Sequence, residues 1–333
     1  MHIGVTYDLR ADYLALGMSQ EESAEFDSEV TIAALCAALE SMGHDTVRIG
    51  HLKALAGRLA SGERWDAVFN ICEGLRGYAR EAEVPALLEG YDIPCVFSDP
   101  LTLSVALDKV WAKRIVRDQG VPTPAFAEIA SPGDVARVDL PFPLFLKPVA
   151  EGSGKGVNDR SRVNNPAELK ATALDLLSRF RQPVIAESYL PGREFTVGIT
   201  GTGDDAEVLG VMEITPTKKA IAHGYGYENK EHWEDKVILR LADDSEGRAA
   251  GDVALAAWRA LRCRDGGRVD TRSDANGRPH FLEVNPLAGL NPQHSDLCFL
   301  ARFRGFSYQD LIGKIMTSFL KRHPELGSRK AAA

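Results

Sequence analysis

Short apolar runs alternate with segments of helical periodicity in the first hundred residues. Residues 2–7 (HIGVTY) predict a buried strand, and residues 25–42 carry apolar side chains at helical spacing up to Gly43. Further short apolar runs follow at 45–49, 66–71 and 93–97. Strands separated by helices favour a parallel sheet covered by helices, so we expect an α/β domain over residues 1–100.

The pattern changes after residue 100. A single helix is predicted from Pro100 to Gly120, where the sequence GVPTP ends it. A proline-bounded strand (PFPLFLKPV), the glycine-rich loop EGSGKGV, a helix over 166–179 and the strand PVIAESYL follow. This mixture predicts a small α+β domain over residues 101–190.

The rest of the chain predicts a second α+β domain over residues 191–325, followed by a frayed tail over 326–333. Its strands are expected at 193–200, 207–214, 266–272 and 280–285, and its helices at 247–261 and 307–321. Two polar loops, 215–236 and 286–298, separate these elements. The chain should therefore have three domains.

Composition narrows the class of protein. The chain has 333 residues, of which 44% are hydrophobic and 26% charged, and its formal net charge of -8 disfavours a nucleic-acid partner. It has neither an apolar stretch long enough to span a membrane nor a basic, apolar start typical of a signal peptide, so we expect no membrane association and a cytoplasmic location. Its five scattered cysteines indicate neither disulfides nor a zinc site.

Three glycines, Gly152, Gly154 and Gly156, follow the strand that ends near Lys147. The loop is not a Walker A motif, which would need glycine at Val149 and Ser or Thr at Gly156. It does not open into a helix either, as a dinucleotide-binding loop does. A flexible glycine loop can fold its N–H groups over phosphates, and the alternative is an ordinary hairpin.

Two acidic side chains and an amide mark two neighbouring strands near the C-terminus. Asp270 ends the sequence RVD, while Glu283 and Asn285 alternate along FLEVNP and share one face of their strand. Carboxylate and amide oxygens suit Mg²⁺. The alternative is that these side chains simply face solvent. Lys147, in turn, lies inside an apolar strand, where a buried ammonium requires an anion.

Four segments occur in an order typical of one enzyme family. They are ALDKVWAKRIVRDQGVPTP (106–124), FLKPVAEGSGKGV (145–157), ESYLPGREFTV (187–197) and RVD followed by FLEVNPLAGL (281–290). Over nearly its whole length the chain resembles the ATP-grasp superfamily, and within it the D-alanine:D-alanine ligase-like branch. This resemblance implies an N-terminal α/β domain, a central α+β lid domain and a C-terminal α+β catalytic domain, assembled as a homodimer.

The resemblance also implies ATP as cosubstrate, with two Mg²⁺ ions that Mn²⁺ could replace. Phosphates would contact Lys109, Lys147 and the loop residues Gly152, Ser153, Gly154 and Gly156, and Lys230 when its own loop closes. Adenine would contact Glu187 and the backbone of Tyr189 and Leu190, and the ribose would contact Glu194. The metal ligands would be Asp270, Glu283 and Asn285.

The implied reaction joins a carboxylate to an amine. ATP converts the carboxylate to an acyl phosphate, and the amine then attacks through a tetrahedral oxyanion. Arg268 and the backbone N–H of Gly289 match the donors to that oxyanion. Ser153 matches the serine that positions the second substrate, and Ser295 matches the hydroxyl that holds its carboxylate.

The chain departs from the family pattern where substrates are selected. The family segment HGxxGEDG is here NICEGLRGYAREA, which puts Glu73 at the histidine position and Arg80-Glu81 at an acidic pair. YDYxxKY becomes YGYENKE, so Glu231 replaces a tyrosine. The first-domain glutamate that partners this tyrosine in the family would be Glu25. We therefore expect amino-acid-like substrates that need not be D-alanine. The alternatives are strict D-alanyl-D-alanine synthesis and a nucleotide-binding protein without catalysis.

Overall fold

The structure is a computed structural model that describes residues 1–217 and 233–328. The first sheet is parallel, in the order β2-β1-β3, and consists of β1 (His2–Tyr7), β2 (Asp45–Gly50) and β3 (Ala67–Ile71). The helices of this part are α1 (Arg10–Ala15), α2 (Glu29–Ser41), α3 (Leu52–Ala60) and α4 (Glu83–Glu89), with a 3₁₀ turn at Arg80–Ala82. The α/β class predicted for this region is confirmed.

Two sequence predictions for this region are wrong in detail. Residues 93–97 form no strand and meet β3 only through a bridge between Val68 and Cys95. Pro94 has no N–H to donate, and Phe97 has a φ of 78°, so the ladder cannot extend. The helix expected from residue 25 begins only at Glu29, because Ser28 caps it.

The long helix predicted after Pro100 is two helices, α5 (Pro100–Leu107) and α6 (Lys109–Asp118). Asp108 is extended, with φ -86° and ψ 100°, and its carboxylate accepts hydrogen bonds from the N–H groups of Val110 and Trp111 at 2.9 and 3.0 Å. An aspartate cap ends one helix and starts the next, although the apolar pattern continues through both.

The second sheet is antiparallel, in the order β4-β7-β5-β6. Its strands are β4 (Phe126–Ile129), β5 (Leu144–Pro148), β6 (Arg162–Val163) and β7 (Val184–Ser188), and 3₁₀ turn Pro132–Arg137 and helix α7 (Pro166–Phe180) accompany it. Leu146 of β5 and Leu169 of α7 belong to the hydrophobic core of this unit. The predicted α+β character of the central region is confirmed.

The third sheet is antiparallel, in the order β10-β9-β8-β11-β12. Its strands are β8 (Glu194–Thr200), β9 (Glu207–Pro216), β10 (Val237–Leu241), β11 (Gly266–Ser273) and β12 (Pro279–Asn285). The helices are α8 (Trp233–Lys236), α9 (Ser245–Ala260), α10 (Asp296–Phe303), α11 (Tyr308–Arg322) and α12 (Pro324–Ser328), with a 3₁₀ turn at Gly203–Asp205.

Two large cores join distant parts of the chain. Trp258 of α9 lies in one core with Phe195 of β8 and Phe281 of β12. In the other, Leu35 of α2 belongs to the same cluster as Phe319 of α11, so the first sheet and the C-terminal helices share one hydrophobic interior. This packing fixes the end of the parallel sheet next to strands β11 and β12, where the predicted site residues lie.

Candidate active site

Two cavities lie side by side between the three sheets. The large cavity has a volume of about 550 Å³ and extends from the end of the first sheet to the loop after β12. The second, which we call the lysine-lined cavity, lies between the second and third sheets. Lys109, Glu151 and Glu283 line both cavities, so these residues mark the junction between them.

Almost every described site residue predicted from the sequence lines one of these cavities. The large cavity contains Glu25, Glu73, Gly152, Ser153, Arg268, Asn285, Gly289 and Ser295 in addition to the junction residues. The lysine-lined cavity contains Lys147, Gly154, Glu187, Tyr189, Leu190, Glu194 and Asp270. Gly156 lines neither; a Cβ there would meet the Pro148 ring at 2.8 Å, so it lets the loop return against β5. Lys230 and Glu231 lie outside the described residues.

The anion that Lys147 requires is provided by two carboxylates. Its Nζ lies 3.4 Å from a Glu187 oxygen and 3.5 Å from a Glu283 oxygen. Burial opposes the charge on Lys147, but the two glutamates outweigh burial and raise the pKa of this lysine. The ammonium is therefore kept charged at the wall of a cavity, where it can meet an anionic ligand.

Lys109 reaches the junction from the first turn of α6. Its Nζ donates to the carbonyl of Glu151 at 2.6 Å and lies 3.6 Å from Glu283 Oε2. Gln182 holds the same loop, because it accepts from the N–H of Ala150 and donates to Glu151 Oε1, both at 2.7 Å. Sequence reasoning missed Gln182, since no local motif marks a residue that acts across 31 positions.

The predicted metal ligands share one face of paired strands. Asp270 of β11 is the register partner of Glu283 of β12, and Arg268 is the partner of Asn285. Asp270 accepts from Thr196 at 2.8 Å and pairs with Arg268. Among the described residues, no three His, Cys, Asp or Glu side chains are grouped to hold a metal. Two carboxylates plus an amide oxygen nevertheless fit Mg²⁺, which completes its shell with water and phosphate oxygens.

Glu25 connects the first part of the chain to the glycine loop. It accepts from the Gly152 N–H at 2.7 Å and lies 3.2 Å from Lys155 and 3.3 Å from Arg80. Burial would raise its pKa, but Lys155 and Arg80 outweigh burial and hold the pKa low. A Cβ at Gly152 would meet Glu25 Oε1 at 2.6 Å, so a larger residue here would require the Glu25 side chain to shift.

The wall of the large cavity near β3 is acidic. Burial raises the pKa of Glu73 well above its ordinary value, and the charges of Glu81 and Glu25 act in the same direction. Burial also raises the pKa of Glu81 to about 7, against the opposing effect of Arg80. Burial also raises the pKa of Asp27 to about 7. An ammonium group entering this wall would stabilise the ionised forms of these carboxyl groups, which have little solvent around them.

The opposite wall carries cationic and polar groups. Arg268 lines it with a side chain that is 12% exposed, and Gly289 lies so close to Ser295 that a Cβ would meet its Oγ at 2.9 Å. Ser295 Oγ accepts from the Asn291 N–H at 2.9 Å, which orders the loop after β12. The large cavity is thus acidic at one end and has groups suited to a carboxylate at the other.

Comparison with known proteins agrees with this arrangement. The sequence model of the family described as "D-ala D-ala ligase C-terminus" matches residues 115–317. A protein named D-alanine–D-alanine ligase from Aquifex aeolicus is 34% identical over 310 residues, covering 93% of this chain and 100% of the relative. The chain belongs to the D-alanine–D-alanine ligase family. It is therefore an ATP-grasp ligase of the kind that forms carbon–nitrogen bonds.

Other similarities agree with the fold. An uncharacterized protein of Sinorhizobium fredii, y4sG, is 33% identical over 312 residues, which cover 86% of each chain. The crystal structure of a D-alanine–D-alanine ligase from Bacillus anthracis complexed with ATP superposes with a TM-score of 0.71 at 24% identity and covers 98% of this chain and 99% of that one. None of the described helices is both long and apolar enough to cross a lipid bilayer.

Proposed function

We propose that this ligase uses ATP to activate the carboxylate of one amino-acid-like substrate and joins it to the amine of a second. The observation that carries the proposal is the junction of the two cavities at Lys109 and Glu283. A nucleotide in the lysine-lined cavity would point its terminal phosphate toward a carboxylate held in the large cavity. Reacting groups that meet at one junction gain the advantage of proximity.

The proposed reaction has two steps, phosphoryl transfer to the carboxylate and attack of the amine on the acyl phosphate. A carboxylate oxygen attacks the terminal phosphorus of ATP, the bond from that phosphorus to the bridging oxygen breaks, and ADP leaves. The amine then attacks the acyl carbon, the carbon–oxygen bond to phosphate breaks, and the amine gives up a proton. Phosphate departs with the oxygen that it took from the carboxylate.

The residues around the lysine-lined cavity support the nucleotide half. Lys109 and Lys147 would bind the phosphates, with the glycine loop 152–156 above them. Glu187 and the backbone at Tyr189 and Leu190 would contact adenine, and Glu194, which is held 3.2 Å from Arg272, would contact the ribose. Asp270, Glu283 and Asn285 would hold Mg²⁺, which would neutralise charge on the phosphates.

The large cavity supports the amino-acid half. Arg268 and the N–H of Gly289 would donate to the oxyanion that forms when the amine attacks. Ser153 and Ser295 would position the second substrate, and Glu25 and Glu73 would face its ammonium group. Lys230, which lies outside the described residues, would contact the phosphates. Homodimer formation and a cytoplasmic location stay predictions.

Two candidate functions differ in substrate specificity. Relatives that are named D-alanine–D-alanine ligases at 34% and 35% identity favour strict synthesis of D-alanyl-D-alanine. The glutamate at position 231, where the family has a tyrosine, favours another amino acid, since an ionised carboxylate cannot donate the hydrogen bond that a tyrosine donates. Glu73 stands at the family's histidine position and, with its raised pKa, presents a carboxyl group in place of an imidazole. We propose the second candidate, with an amino-acid-like substrate that is not D-alanine in at least one position.

The test is phosphate release with ATP and Mg²⁺ from a panel of D- and L-amino acids, singly and in pairs, with mass spectrometry of the products. We expect one pair to stimulate release and to yield its condensed mass. D-alanine alone as the best substrate would support the strict ligase instead. If a pair other than two D-alanines is preferred, Glu231→Tyr should shift acceptor preference toward D-alanine. Unchanged relative kcat/KM values across acceptors would reject a role for this position.

A further inference from the structure

One buried cation has no part in the mechanism so far. Lys113 lies four residues after Lys109 on α6, so the two side chains project from the same face of the helix. Lys109 reaches the cavity junction, whereas the side chain of Lys113 is fully buried, with 0% exposed. A lysine in such a place is costly unless each of its N–H groups has a partner.

Three partners surround the Lys113 ammonium, and they come from different segments. Its Nζ donates to Thr123 Oγ1 at 3.0 Å and to the carbonyl of Phe281 at 3.1 Å, and lies 2.7 Å from Glu187 Oε1. Thr123 Oγ1 also donates to the Phe281 carbonyl, at 2.9 Å. Burial lowers the pKa of Lys113 to about 8 while Glu187 opposes the shift, so the ammonium is largely charged at neutral pH.

Lys113 connects the two walls of the lysine-lined cavity. Glu187 belongs to β7 in the second sheet, and its other oxygen lies 3.4 Å from Lys147. Phe281 belongs to β12 in the third sheet, two residues before Glu283. The lysine-lined cavity lies between these two sheets, and Lys113 therefore bonds to both of its walls from behind.

We infer that Lys113 is a positioning residue for nucleotide binding: it holds the Glu187 carboxylate, and through it Lys147, at a set distance from strand β12. The inference rests on the proposed function, since it assigns the lysine-lined cavity to the nucleotide. Without Lys113, Lys147 is the cationic partner that Glu187 keeps among the residues the structure describes, and Glu187 can turn toward it. Lys147 would then be neutralised more fully and displaced from where phosphates arrive.

A purely structural role makes a different prediction. A lysine that only joins two sheets would lower the melting temperature when removed, but the folded molecules would bind nucleotide normally. A positioning role changes affinity for nucleotide in the folded protein and leaves the amino-acid side unaffected, because the large cavity does not contain Lys113, Thr123 or Glu187.

The test is calorimetric binding of ADP with Mg²⁺ to the full chain and to Lys113→Met and Thr123→Val, below the melting temperature of each. We expect Lys113→Met to weaken ADP binding by roughly 10–100-fold, in line with the loss seen when a group that orients a metal ligand is removed. Thr123→Val, which removes one of the three partners, should weaken it less. In steady state, KM for ATP should rise while KM for the amino acids stays within about twofold.

Lys321→Met is the matched control, because it also removes a lysine that pairs with a carboxylate, Asp205 at 3.0 Å, but on the exposed surface. It should bind ADP like the wild type. The inference would be overturned if the wild type binds ADP and both Lys113→Met and Thr123→Val bind it with the same affinity. If Lys113→Met does not fold, the ADP affinity of Thr123→Val decides the question. Failure of the wild type itself to bind ADP would instead refute the proposed function.

Discussion

Arg268→Met should slow the chemical step far more than it weakens nucleotide binding. Arg268 lies on β11 at the wall of the large cavity, where it pairs with Asp270 and has its Nε 3.9 Å from Asp296. Methionine keeps much of the apolar stem but has no N–H groups. The variant therefore removes the proposed donor to the oxyanion and the cation that pairs with Asp270.

The magnitude follows from these two losses. Loss of one oxyanion donor typically costs about 3–4 kcal/mol, or roughly 10²–10³ in kcat. Arg268 and Asp270 are 12% and 13% exposed, so breaking their pair also costs stability, by about 3–5 kcal/mol when a pair is fully buried and less here. Arg268→Lys keeps the charge without the planar fork, so it should recover stability more than kcat.

The assay is the initial rate of phosphate release at saturating ATP and amino acids, with the melting temperature and ADP affinity measured on the same samples. We expect kcat to fall by roughly 10²–10³ while ADP affinity changes little. A folded Arg268→Met whose kcat stays within about threefold of wild type would refute the assignment of Arg268 to the oxyanion.

Three further predictions concern the metal site, an acidic group and a buried ion pair. Glu283→Gln should abolish Mg²⁺-dependent turnover, because it removes a proposed ligand; near-normal phosphate release would reject the metal assignment. Burial raises the Glu81 pKa from 4.5 to about 7 while Arg80 opposes it, so between these values the folded state holds a proton that the unfolded state has lost, and this contribution to stability falls as pH rises. Glu81→Gln should therefore raise the melting temperature, relative to wild type, more at about pH 8 than at about pH 5, and a pH-independent difference would contradict the shift. Asp265→Asn should cost up to about 3 kcal/mol in chemical denaturation with kcat retained, because it removes the buried carboxylate that pairs with Arg322 at 3.0 Å; the cost is below the roughly 3–5 kcal/mol of a fully buried pair since Arg322 is 18% exposed, and a cost below about 1 kcal/mol would be contrary to this view.

Local patterns predicted the elements whose signals are local. Many elements, such as β8, β11, α7 and α11, were expected within a few residues, because period-2 and period-3.6 patterns are visible in the sequence. Strands β4, β6 and β10 and helices α1 and α10 were not predicted. The break at Asp108 was missed because its apolar neighbours continue the helical pattern on both sides. Residues 93–97 were taken for a strand because their composition resembles one, while the positive φ of Phe97 depends on contacts elsewhere.

Site residues also differ in how far the sequence reveals them. Residues on strands or in the glycine loop, such as Lys147 and Glu283, were predicted because their motifs are contiguous. Arg80, which donates to the Ala150 carbonyl at 2.9 Å, was noticed only as a departure from a pattern. Lys113 was read within a motif but had no role, since its partners lie up to 168 residues away in the chain. Contacts of that span arise from packing of the sheets and leave no local signal.

The central claim is that a carboxylate passes through an acyl phosphate. The most direct test uses the donor substrate with ¹⁸O in its carboxylate, the amine acceptor, ATP and Mg²⁺, followed by mass spectrometry of the phosphate released. We expect one ¹⁸O atom in each phosphate formed together with product. Unlabelled phosphate alongside product, or label found in AMP, would contradict it.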